Sequence, residues 1–366
     1  MKNKRILELC LSPDAGGLEL YMLRASEYLA DKHDVTCIIN ANGKLKEHFK
    51  ETDLNYFEVK RPSFFETFII ASKIAKIIDD NKIDVLHFHW TKDILTAVLA
   101  KKISKNRPKL VQSRHMTMTR FKDDFYHKFL YKNIDQILAV TLQVKEQLQK
   151  FIPSSIQPRI DLLYPGTIIP EPIASQEVQT YKEEYKLGDS FIVSIVGRIE
   201  EAKGQHILVK AVETLLKQGL NIKIVIIGHA MSEEYLKNFK SDIEKRNMTE
   251  SVVFTGFTNK VHSLMQLSDS LVLATKKETF GLVLIEAMAS NIAVIASNNG
   301  GPLEIVDNEK TGLHFESDSY EDLAKKIKLL FNEEFKKEIA TAGREKVLKV
   351  FNSNKQFTKL YELLVN

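Results

Sequence analysis

Two glutamates eight positions apart, Glu278 and Glu286, are the side chains of this sequence best placed to do chemistry. The apolar run Ser270–Ala274 before them predicts a short buried strand, and the residues that follow predict a helix over Phe280–Ala289. Glu278 is therefore expected in the turn between strand and helix, and Glu286 about two turns into the helix.

Glu286 is the only polar residue between Leu282 and Ala289. A helix with no polar face for this carboxylate is expected to be buried or to line a cleft. Because an unpartnered buried carboxylate is strongly unfavourable, its charge must be compensated. The compensating group is either a polar ligand or a Lys or Arg from a neighbouring element, and the residues leave both open.

Two bases, Arg198 and Lys203, lie between the predicted strand Phe191–Val196 and the helix that follows it. The forked guanidinium and the mobile ammonium together suit two adjacent phosphates at a helix N-terminus. The alternative is a solvated loop in which these bases pair with Glu200 and Glu201.

Paired glycines precede two predicted helices, Gly16-Gly17 near the start of the chain and Gly300-Gly301 before Pro302. Glycine lets the backbone approach a ligand closely, and a helix N-terminus favours an anion, so both pairs are candidates to face a phosphate. The alternative for Gly16-Gly17 is a tight turn that needs glycine for steric reasons. Glu304, at the start of the second helix, would simply offset the helix dipole. No Gly-x-Gly-x-x-Gly occurs and the second strand ends in Asn40, so a nicotinamide oxidoreductase is disfavoured.

Three histidines follow or end predicted strands. His115 follows the predicted strand Leu110–Ser113 after one intervening residue, and a single histidine is more often structural than catalytic. His87 and His89 lie on one face of the predicted strand Val85–Phe88 and its end. A zinc site would need a third and a fourth ligand at metal spacing, and none is evident. We therefore expect no metal, and we expect these two histidines to line a substrate-binding side of the sheet or simply to end the strand.

The composition is that of a globular protein. A length of 366 residues favours two domains over one core. No apolar run approaches the roughly 18 residues of a membrane span, and the first strand, broken by Glu8, does not resemble a signal peptide. Cys10 and Cys37 form no Cys-x-x-Cys pair and are expected to be reduced core residues of a cytosolic protein.

The segment 101–132 is strongly basic. It holds ten Lys or Arg against two acids, a net charge of +8, so the rest of the chain sums to 4 − 8 = −4. In the predicted helix Phe121–Tyr131, Phe121, Phe125 and Phe129 fall on one face, which most simply packs on the sheet. The alternative is a peripheral contact with anionic lipid. No nucleic-acid-binding module accompanies the segment, so we expect no nucleic acid.

The elements that must position these residues alternate. Short apolar runs and helical patterns follow one another through both halves of the chain, which predicts two parallel sheets with helices on both faces. The stretch Tyr164–Pro172 holds three of the nine prolines and is the predicted linker. Each landmark named above follows a predicted strand, and ligands of such sheets bind beyond the carboxyl ends of the strands.

These landmarks, in this order, resemble the retaining glycosyltransferases of family four (glycosyl transferases group 1), which have the GT-B fold. The resemblance covers nearly the whole chain, and its most specific part runs from Glu278 to Glu286. It implies an α/β protein with two doubly wound, Rossmann-like domains facing across a cleft. The implied domains are an acceptor-side domain, 1–165, and a nucleotide-sugar-binding domain, 166–351, with a C-terminal helix of about 352–366 packing back on the first.

The resemblance also implies roles. Arg198 and Lys203 would neutralise the diphosphate of a nucleotide sugar, while Glu278 would approach the sugar hydroxyls. Glu286 would bind the ribose, and His115 would contact the sugar near its reacting carbon. The expected catalytic residues are Glu278, His115, Arg198 and Lys203, and the further donor-binding residues are Gly16, Gly17, Phe257, Thr279, Phe280, Gly281, Leu282 and Glu286. Phe257, after the predicted strand Val252–Thr255, would line the base pocket, unless it is an aromatic that caps the core.

The implied function is transfer of a hexosyl group from a nucleotide-diphosphate sugar to a glycan or lipid-linked acceptor, with retention of configuration. A UDP-sugar is expected ahead of a GDP-sugar, with no other cofactor and, since no Asp-x-Asp motif is present, no metal. The expected setting is cell-surface polysaccharide or lipopolysaccharide synthesis in the cytoplasm, at the inner face of the membrane if segment 101–132 binds lipid. A GT-B-fold nucleotide-sugar epimerase and a non-catalytic nucleotide-sugar-binding subunit remain open as alternatives.

Overall fold

The structure, a computed structural model, describes residues 4–366. The chain forms two compact units. The first runs to Gly166 and also contains Ser353–Asn366, and the second is Thr167–Asn352. Each unit is built on one parallel sheet.

Seven strands form the sheet of the first unit in the order β3-β2-β1-β4-β5-β6-β7. Their bounds are β1 Arg5–Cys10, β2 Asp34–Asn40, β3 Asn55–Val59, β4 Val85–Phe88, β5 Lys109–Arg114, β6 Gln136–Ala139 and β7 Arg159–Leu162. Successive residues of β1 enter two separate cores, Leu7 and Leu9 on one face and Ile6 and Cys10 on the other. The strand order reverses between β1 and β4, which is where doubly wound sheets bind ligands.

The helices cover both faces of this sheet. They are α1 Gly17–Ala30, α2 Leu45–Phe49, α3 Thr67–Asp80, α4 Ile94–Ile103, α5 Phe125–Lys132, α6 Leu142–Phe151 and, from the end of the chain, Ser353–Val365. In this last helix Phe357, Leu360 and Leu364 are buried in the same core as Tyr21 and Leu29. As predicted, Cys10 and Cys37 are buried and unpaired.

Six strands form the sheet of the second unit in the order β10-β9-β8-β11-β12-β13. Their bounds are β8 Phe191–Val196, β9 Ile222–Ile227, β10 Val252–Gly256, β11 Ser270–Leu273, β12 Ala293–Ser297 and β13 Leu313–Phe315. The helices are α7 Ser175–Glu184, α8 Gln205–Leu216, α9 Glu233–Lys245, α10 Val261–Met265, α11 Leu282–Ala289, α12 Pro302–Ile305, α13 Tyr320–Leu329 and α14 Glu333–Lys346. Here the strand order reverses between β8 and β11.

Two helices begin later than predicted, and each delay has a local cause. α11 begins at Leu282 rather than Phe280, because Gly281 has a φ of +103° and cannot belong to a right-handed helix. α5 begins at Phe125 rather than Phe121, because the Asp124 side chain caps it by accepting the His127 N–H at 3.0 Å.

The second delay overturns the expectation of one aromatic face on α5. Phe121 lies outside the helix and is exposed, and Phe125 is 90% exposed, whereas Phe129 packs against the core. The two leading aromatics therefore do not pack on the sheet. None of the helices within residues 4–366 has the length and apolar character that crossing a membrane requires.

Candidate functional site

The loops after β8 and β11 bring Lys203 and Glu278 together in the second unit. The Lys203 Nζ lies 3.4 Å from Glu278 Oε2, although the two residues are 75 positions apart. Both side chains are partly exposed. Since β8 and β11 are the neighbouring strands at which the sheet order reverses, this base and this acid occupy the expected ligand-binding position of the sheet.

Close backbone contacts hold these loops together, and glycine permits each contact. A Cβ at Gly204 would lie 2.4 Å from the Ala274 carbonyl oxygen, and one at Gly300 would lie 2.3 Å from the Glu278 carbonyl oxygen. The Gly301 N–H donates to that same Glu278 carbonyl at 3.0 Å. Gly300-Gly301 therefore packs against the turn that carries Glu278. Its expected role of facing a phosphate stays a prediction.

Arg198 is less constrained than Lys203. Its side chain is 54% exposed, and its guanidinium lies 3.2 Å from Glu200, while Gln205 Nε2 donates to the Arg198 carbonyl at 2.8 Å. Of the two expected loop pairs, the one with Glu200 is present, whereas Lys203 pairs with Glu278 instead of Glu201. An exposed ion pair contributes about 0–1 kcal/mol, so an incoming phosphate can displace Glu200 at small cost.

Among the described residues, Glu286 has no compensating base. It lies just over one turn into α11, half-buried on the same side as Leu282 and Val283, while the opposite side of the helix is buried. Within residues 4–366 its carboxylate makes no hydrogen bond and no ion pair. The alternative of a neighbouring Lys or Arg is therefore wrong, and the carboxylate is open to solvent or to a polar ligand.

Phe257 lies beyond β10 with its ring 81% exposed, so it does not cap the core. Its ring meets that of His229, which follows β9, in an edge-on contact with centroids 5.7 Å apart. An exposed aromatic at the carboxyl ends of the strands is suited to stack on a nucleobase.

The turn Thr279–Leu282 offers backbone rather than side chains. The Phe280 ring is buried and lies 5.9 Å from Phe351. At Gly281 the positive φ turns the chain into α11, and the first amides of a helix have no acceptor within it. This turn is therefore suited to bind an anion through its N–H groups.

In the first unit, Glu8, His87 and His89 form a fully buried cluster. Glu8 on β1 and His87 on β4 are direct neighbours in the sheet register, and none of the three side chains is exposed. Glu8 Oε2 lies 2.9 Å from His87 Nδ1 and 2.7 Å from His89 Nε2. Sequence reasoning missed Glu8, although an acid inside the apolar strand Ile6–Cys10 signals a buried polar partner.

The cluster continues to His115. His87 Nε2 lies 2.9 Å from Ser113 Oγ, and His89 Nδ1 lies 3.4 Å from His115 Nε2. An ionised Glu8 only accepts, so both His87 and His89 must donate to it. His89 Nδ1 is then an acceptor, and His115 must carry its proton on Nε2. The network thus fixes the tautomer of His115, with Nδ1 as its remaining acceptor.

Burial and mutual contact shift the pKa values of these groups. Burial alone would raise the pKa of Glu8, but the charge and hydrogen bonds of His87 and His89 lower it to about 2. Burial and the neighbouring His87 lower the pKa of His89 to about 4, and burial with the nearby histidines holds the pKa of His115 well below its usual range. At neutral pH Glu8 is therefore ionised while His89 and His115 are neutral.

Glu8, His87 and His89 also have the donor types and spacing of metal ligands. The expectation that no third ligand accompanies the two histidines is thus wrong, because Glu8 supplies it. Within residues 4–366 the cluster has no fourth ligand. The distances of 2.7–3.0 Å between the Glu8 oxygens and the nitrogens of His87 and His89 are those of hydrogen bonds. The arrangement is therefore complete as a hydrogen-bonded network.

Two further groups lie beyond β1. The Gly16 N–H donates to Glu19 Oε2 at 2.9 Å, so a carboxylate already occupies this donor and disfavours an anion at Gly16-Gly17. Asp93, which sequence reasoning also missed, is buried and accepts the Leu11 N–H at 2.8 Å. Burial raises the pKa of Asp93 to about 8, despite that hydrogen bond and the charge of Arg61.

Two protein-family models match this chain, one in each structural unit. Residues 8–141 match the model "Glycosyl transferase 4-like", and residues 177–346 match the model "Glycosyl transferases group 1". Both halves of the chain resemble glycosyltransferases.

Three curated relatives share about a quarter of their residues with this chain. N-acetyl-alpha-D-glucosaminyl L-malate synthase of Bacillus anthracis is 26% identical over 86% of this chain and 83% of its own. The capsular polysaccharide biosynthesis glycosyltransferase CapM of Staphylococcus aureus is 25% identical over 96% and 94%. A Campylobacter jejuni 4-alpha-N-acetylgalactosaminyltransferase, named for a diphospho-undecaprenol-linked substrate, is 26% identical over 87% and 88%.

Solved structures show the fold. A glycosyltransferase from Rickettsia africae superposes with a TM-score of 0.90 at 23% identity, covering 100% of this chain and 98% of its own. HepE from Anabaena, solved in complex with UDP and glucose, superposes with a TM-score of 0.86 at 19% identity, covering 99% and 100%. The two doubly wound domains are those of the GT-B fold, as predicted from the sequence.

Proposed function

We propose that this protein is a retaining glycosyltransferase that transfers a hexosyl group from a nucleotide-diphosphate sugar. One observation carries the proposal. At the strand-order reversal of the second unit, the pair Lys203–Glu278 lies in the loops beyond β8 and β11. Glu286 on α11 pairs with no base in the described part of the chain. A ligand that carries both hydroxyls and phosphates would use the acids and the bases together.

In this proposal the donor phosphates bind Arg198, Lys203 and the backbone amides of the turn Thr279–Leu282. Preorganised positive charge of this kind stabilises the negative charge that develops on a departing diphosphate. Glu278 would accept hydrogen bonds from the sugar and Glu286 from the ribose. Phe257 would stack on the base, and a UDP-sugar is proposed because HepE is known with UDP.

Retention would follow from attack by the acceptor hydroxyl on the face from which the diphosphate departs. The bond from the anomeric carbon to the diphosphate breaks, the bond to the acceptor oxygen forms, and the departing diphosphate takes the hydroxyl proton. No enzyme carboxylate is assigned as nucleophile. His115, held as the Nε2–H tautomer, would present Nδ1 as an acceptor for a sugar hydroxyl.

The acceptor we propose is a glycan or a lipid-linked glycan of cell-surface polysaccharide or lipopolysaccharide synthesis. The names of CapM and of the Campylobacter relative support this class. The basic segment 101–132 is one candidate surface for contact with an anionic membrane on the cytoplasmic side. The two buried free cysteines, Cys10 and Cys37, are in keeping with a reducing compartment.

A thermal-shift panel of uridine, guanosine and adenosine diphosphate sugars tests the donor. A ligand present at about 100 times its dissociation constant stabilises by about 2.7 kcal/mol, which is readily measured. The anomeric configuration of a product formed on a simple glycan acceptor, read by NMR coupling constants, then tests retention. An altered free sugar released without an acceptor would identify an epimerase, and binding without transfer or slow hydrolysis would identify a non-catalytic subunit.

We also propose that the reaction needs no divalent metal, because Arg198 and Lys203 supply the positive charge. Initial rates should then be unchanged after treatment with a chelator. A rate that falls and returns with Mg²⁺ or Mn²⁺ would contradict the diphosphate assignment. If Zn²⁺ alone restored the rate, and did not do so in the Glu8→Gln variant, the result would instead assign a metal to the Glu8–His87–His89 cluster.

A further inference from the structure

Four large apolar side chains that follow β3 lie exposed together. Phe64 and Phe65 precede α3, and Phe68 and Ile69 belong to its first turn. Their exposed fractions are 76%, 91%, 63% and 58%. We call these four residues the Phe64–Ile69 patch. Large apolar side chains clustered in this way mark an interaction surface rather than ordinary surface scatter.

Bases flank the patch. Lys60 and Arg61 precede it, and Lys73 and Lys76 follow it on α3, all of them exposed. Segment 60–76 holds these four bases and one acid, Glu66, a net charge of 4 − 1 = +3. In the described part of the chain none of the four bases has a carboxylate within 4.0 Å.

Glu66 is the one acid of segment 60–76, and its carboxylate is held by Ser63 rather than by one of the four bases. Its Oε2 accepts from the Ser63 N–H at 3.0 Å and from the Ser63 hydroxyl at 2.8 Å. The positive charge of segment 60–76 therefore remains available to an anionic partner.

On α3 the apolar and basic groups follow one another along a single exposed side. Ile70, Ile74 and Ile78 bury the other side in the core. Lys73 lies four residues after Ile69, and Lys76 lies three residues further, so these lysines stand one and two turns behind the apolar tip. The exposed side of α3 is thus apolar in its first turn and positively charged in the next two turns.

We propose that the Phe64–Ile69 patch inserts into an anionic phospholipid bilayer, with Lys60, Arg61, Lys73 and Lys76 at the headgroups. Exposed aromatic and aliphatic side chains backed by lysines are the pattern of an interfacial membrane contact. A second copy of this chain fits less well. A two-fold interface through the patch would bring the unpaired lysines of α3 towards their own copies, and like charges repel.

The position of the patch bears on how the proposed enzyme would reach a lipid-linked acceptor. The loop that carries Phe64 and Phe65 leaves the carboxyl end of β3, the edge of the sheet beyond which His89 and His115 also lie. A bilayer at this edge would present a lipid-linked acceptor to the first unit. Only this consequence rests on the proposed function, since lipid binding can be measured without any sugar transfer.

Co-sedimentation of the full chain with vesicles tests the proposal. The chain should bind vesicles of phosphatidylcholine with phosphatidylglycerol and should bind poorly to phosphatidylcholine alone. Phe65→Ser/Phe68→Ser should abolish binding, and Lys73→Glu/Lys76→Glu should weaken it by roughly thirtyfold or more. Met231→Ser/Leu329→Ser, which changes exposed apolar residues of the second unit, should bind as the wild type does.

Insertion has its own spectroscopic readout. Trp90 is the only tryptophan, so Phe65→Trp in a Trp90→Phe background reports on the patch alone. Its emission should shift to shorter wavelength with anionic vesicles. Wild-type vesicle binding by Phe65→Ser/Phe68→Ser, or no binding by the wild type, overturns the proposal. A dimer in solution that dissociates in the same variant also overturns it, in favour of a second copy.

Loss of vesicle binding only on Phe121→Ser/Phe125→Ser would overturn the proposal in favour of segment 101–132. Nucleotide-sugar stabilisation of each variant is measured in parallel. A variant that still binds the nucleotide sugar but no longer binds vesicles has lost the membrane contact alone. Loss of nucleotide-sugar binding would instead concern the proposed function.

Discussion

Lys203 Nζ and Glu278 Oε2 lie 3.4 Å apart, each on a loop that leaves a different strand of the second sheet. The contact places a mobile cation and a hydrogen-bond acceptor side by side at the strand-order reversal. A diphosphate would compete with Glu278 for the ammonium, which leaves the carboxylate to accept hydrogen bonds from a sugar. The pair therefore positions both groups that the proposed reaction needs.

Lys203→Ala should lower kcat by about 10²–10³-fold, the usual loss when one preorganised donor is removed from a developing negative charge. Steady-state rates with the donor found in the panel measure it. Lys217→Ala is the control, because that lysine is solvent-exposed and pairs with Glu213, away from the candidate site. Wild-type turnover in a Lys203→Ala variant that melts normally would remove Lys203 from the mechanism.

Glu286→Gln should weaken binding of the nucleoside diphosphate by about ten- to a hundredfold, as expected for the loss of hydrogen bonds to a charged group. The melting temperature should stay the same or rise, since the carboxylate has no partner within residues 4–366. Calorimetric titration measures the affinity. Glu338→Gln, on the exposed side of α14, is the matched control. An unchanged affinity would exclude the ribose contact.

His89→Phe should release the tautomer of His115, because it removes the acceptor 3.4 Å from His115 Nε2. Nitrogen chemical shifts of labelled histidine should change from the Nε2–H form to a mixture, and kcat should fall more than KM changes. His87→Phe is the matched control, since His87 is equally buried and does not touch His115.

His89→Gln provides the conservative test, because an amide can accept at one atom and donate at the other. It should restore part of the lost turnover. Equal effects of His87→Phe and His89→Phe on the His115 signals would mean that the cluster is merely structural.

Asp93→Asn should change how stability depends on pH. The pKa of Asp93 is raised from 3.8 to about 8 in the folded protein, so between these values the folded state holds a proton that the unfolded chain releases. Stability from this group therefore falls as pH rises through that window, by at most about 1.4 kcal/mol per pH unit.

Asparagine keeps an acceptor for the Leu11 N–H and has no such proton. The free energy of unfolding of the variant, relative to the wild type, should thus increase from about pH 5 to about pH 8 in urea titrations. Asp80→Asn, at the exposed end of α3, is the control. A difference that is constant with pH would place the pKa of Asp93 below this range.

The fold was predictable because both sheets are built from buried apolar runs that alternate with helical patterns. Two short edge strands escaped that reasoning. β7 carries Arg159 and Asp161 and is half-exposed, and β13 has only three residues, Leu313–Phe315. Edge strands need fewer apolar residues, so their pattern is weak.

The arrangement of the candidate site was predictable only where its residues follow strands. Lys203 and Glu278 each follow a strand, which placed them at one edge, but their contact depends on the order of β8 and β11 in the sheet. Glu8 escaped because its partner His87 is 79 positions away, and the register that makes them neighbours is a tertiary property. The packing of Gly300 against the Glu278 backbone is likewise a tertiary contact that the sequence does not reveal.

The helix Ser353–Val365 has a consequence for how the chain is made. Its residues Phe357, Leu360 and Leu364 belong to the core of the first unit, yet they emerge from the ribosome only after the whole second unit. The first unit therefore begins to be synthesised before the second but can complete its core only after the second. During translation the surface around Tyr21 stays uncovered, open to chaperones and proteases, until the end of the chain arrives to close it.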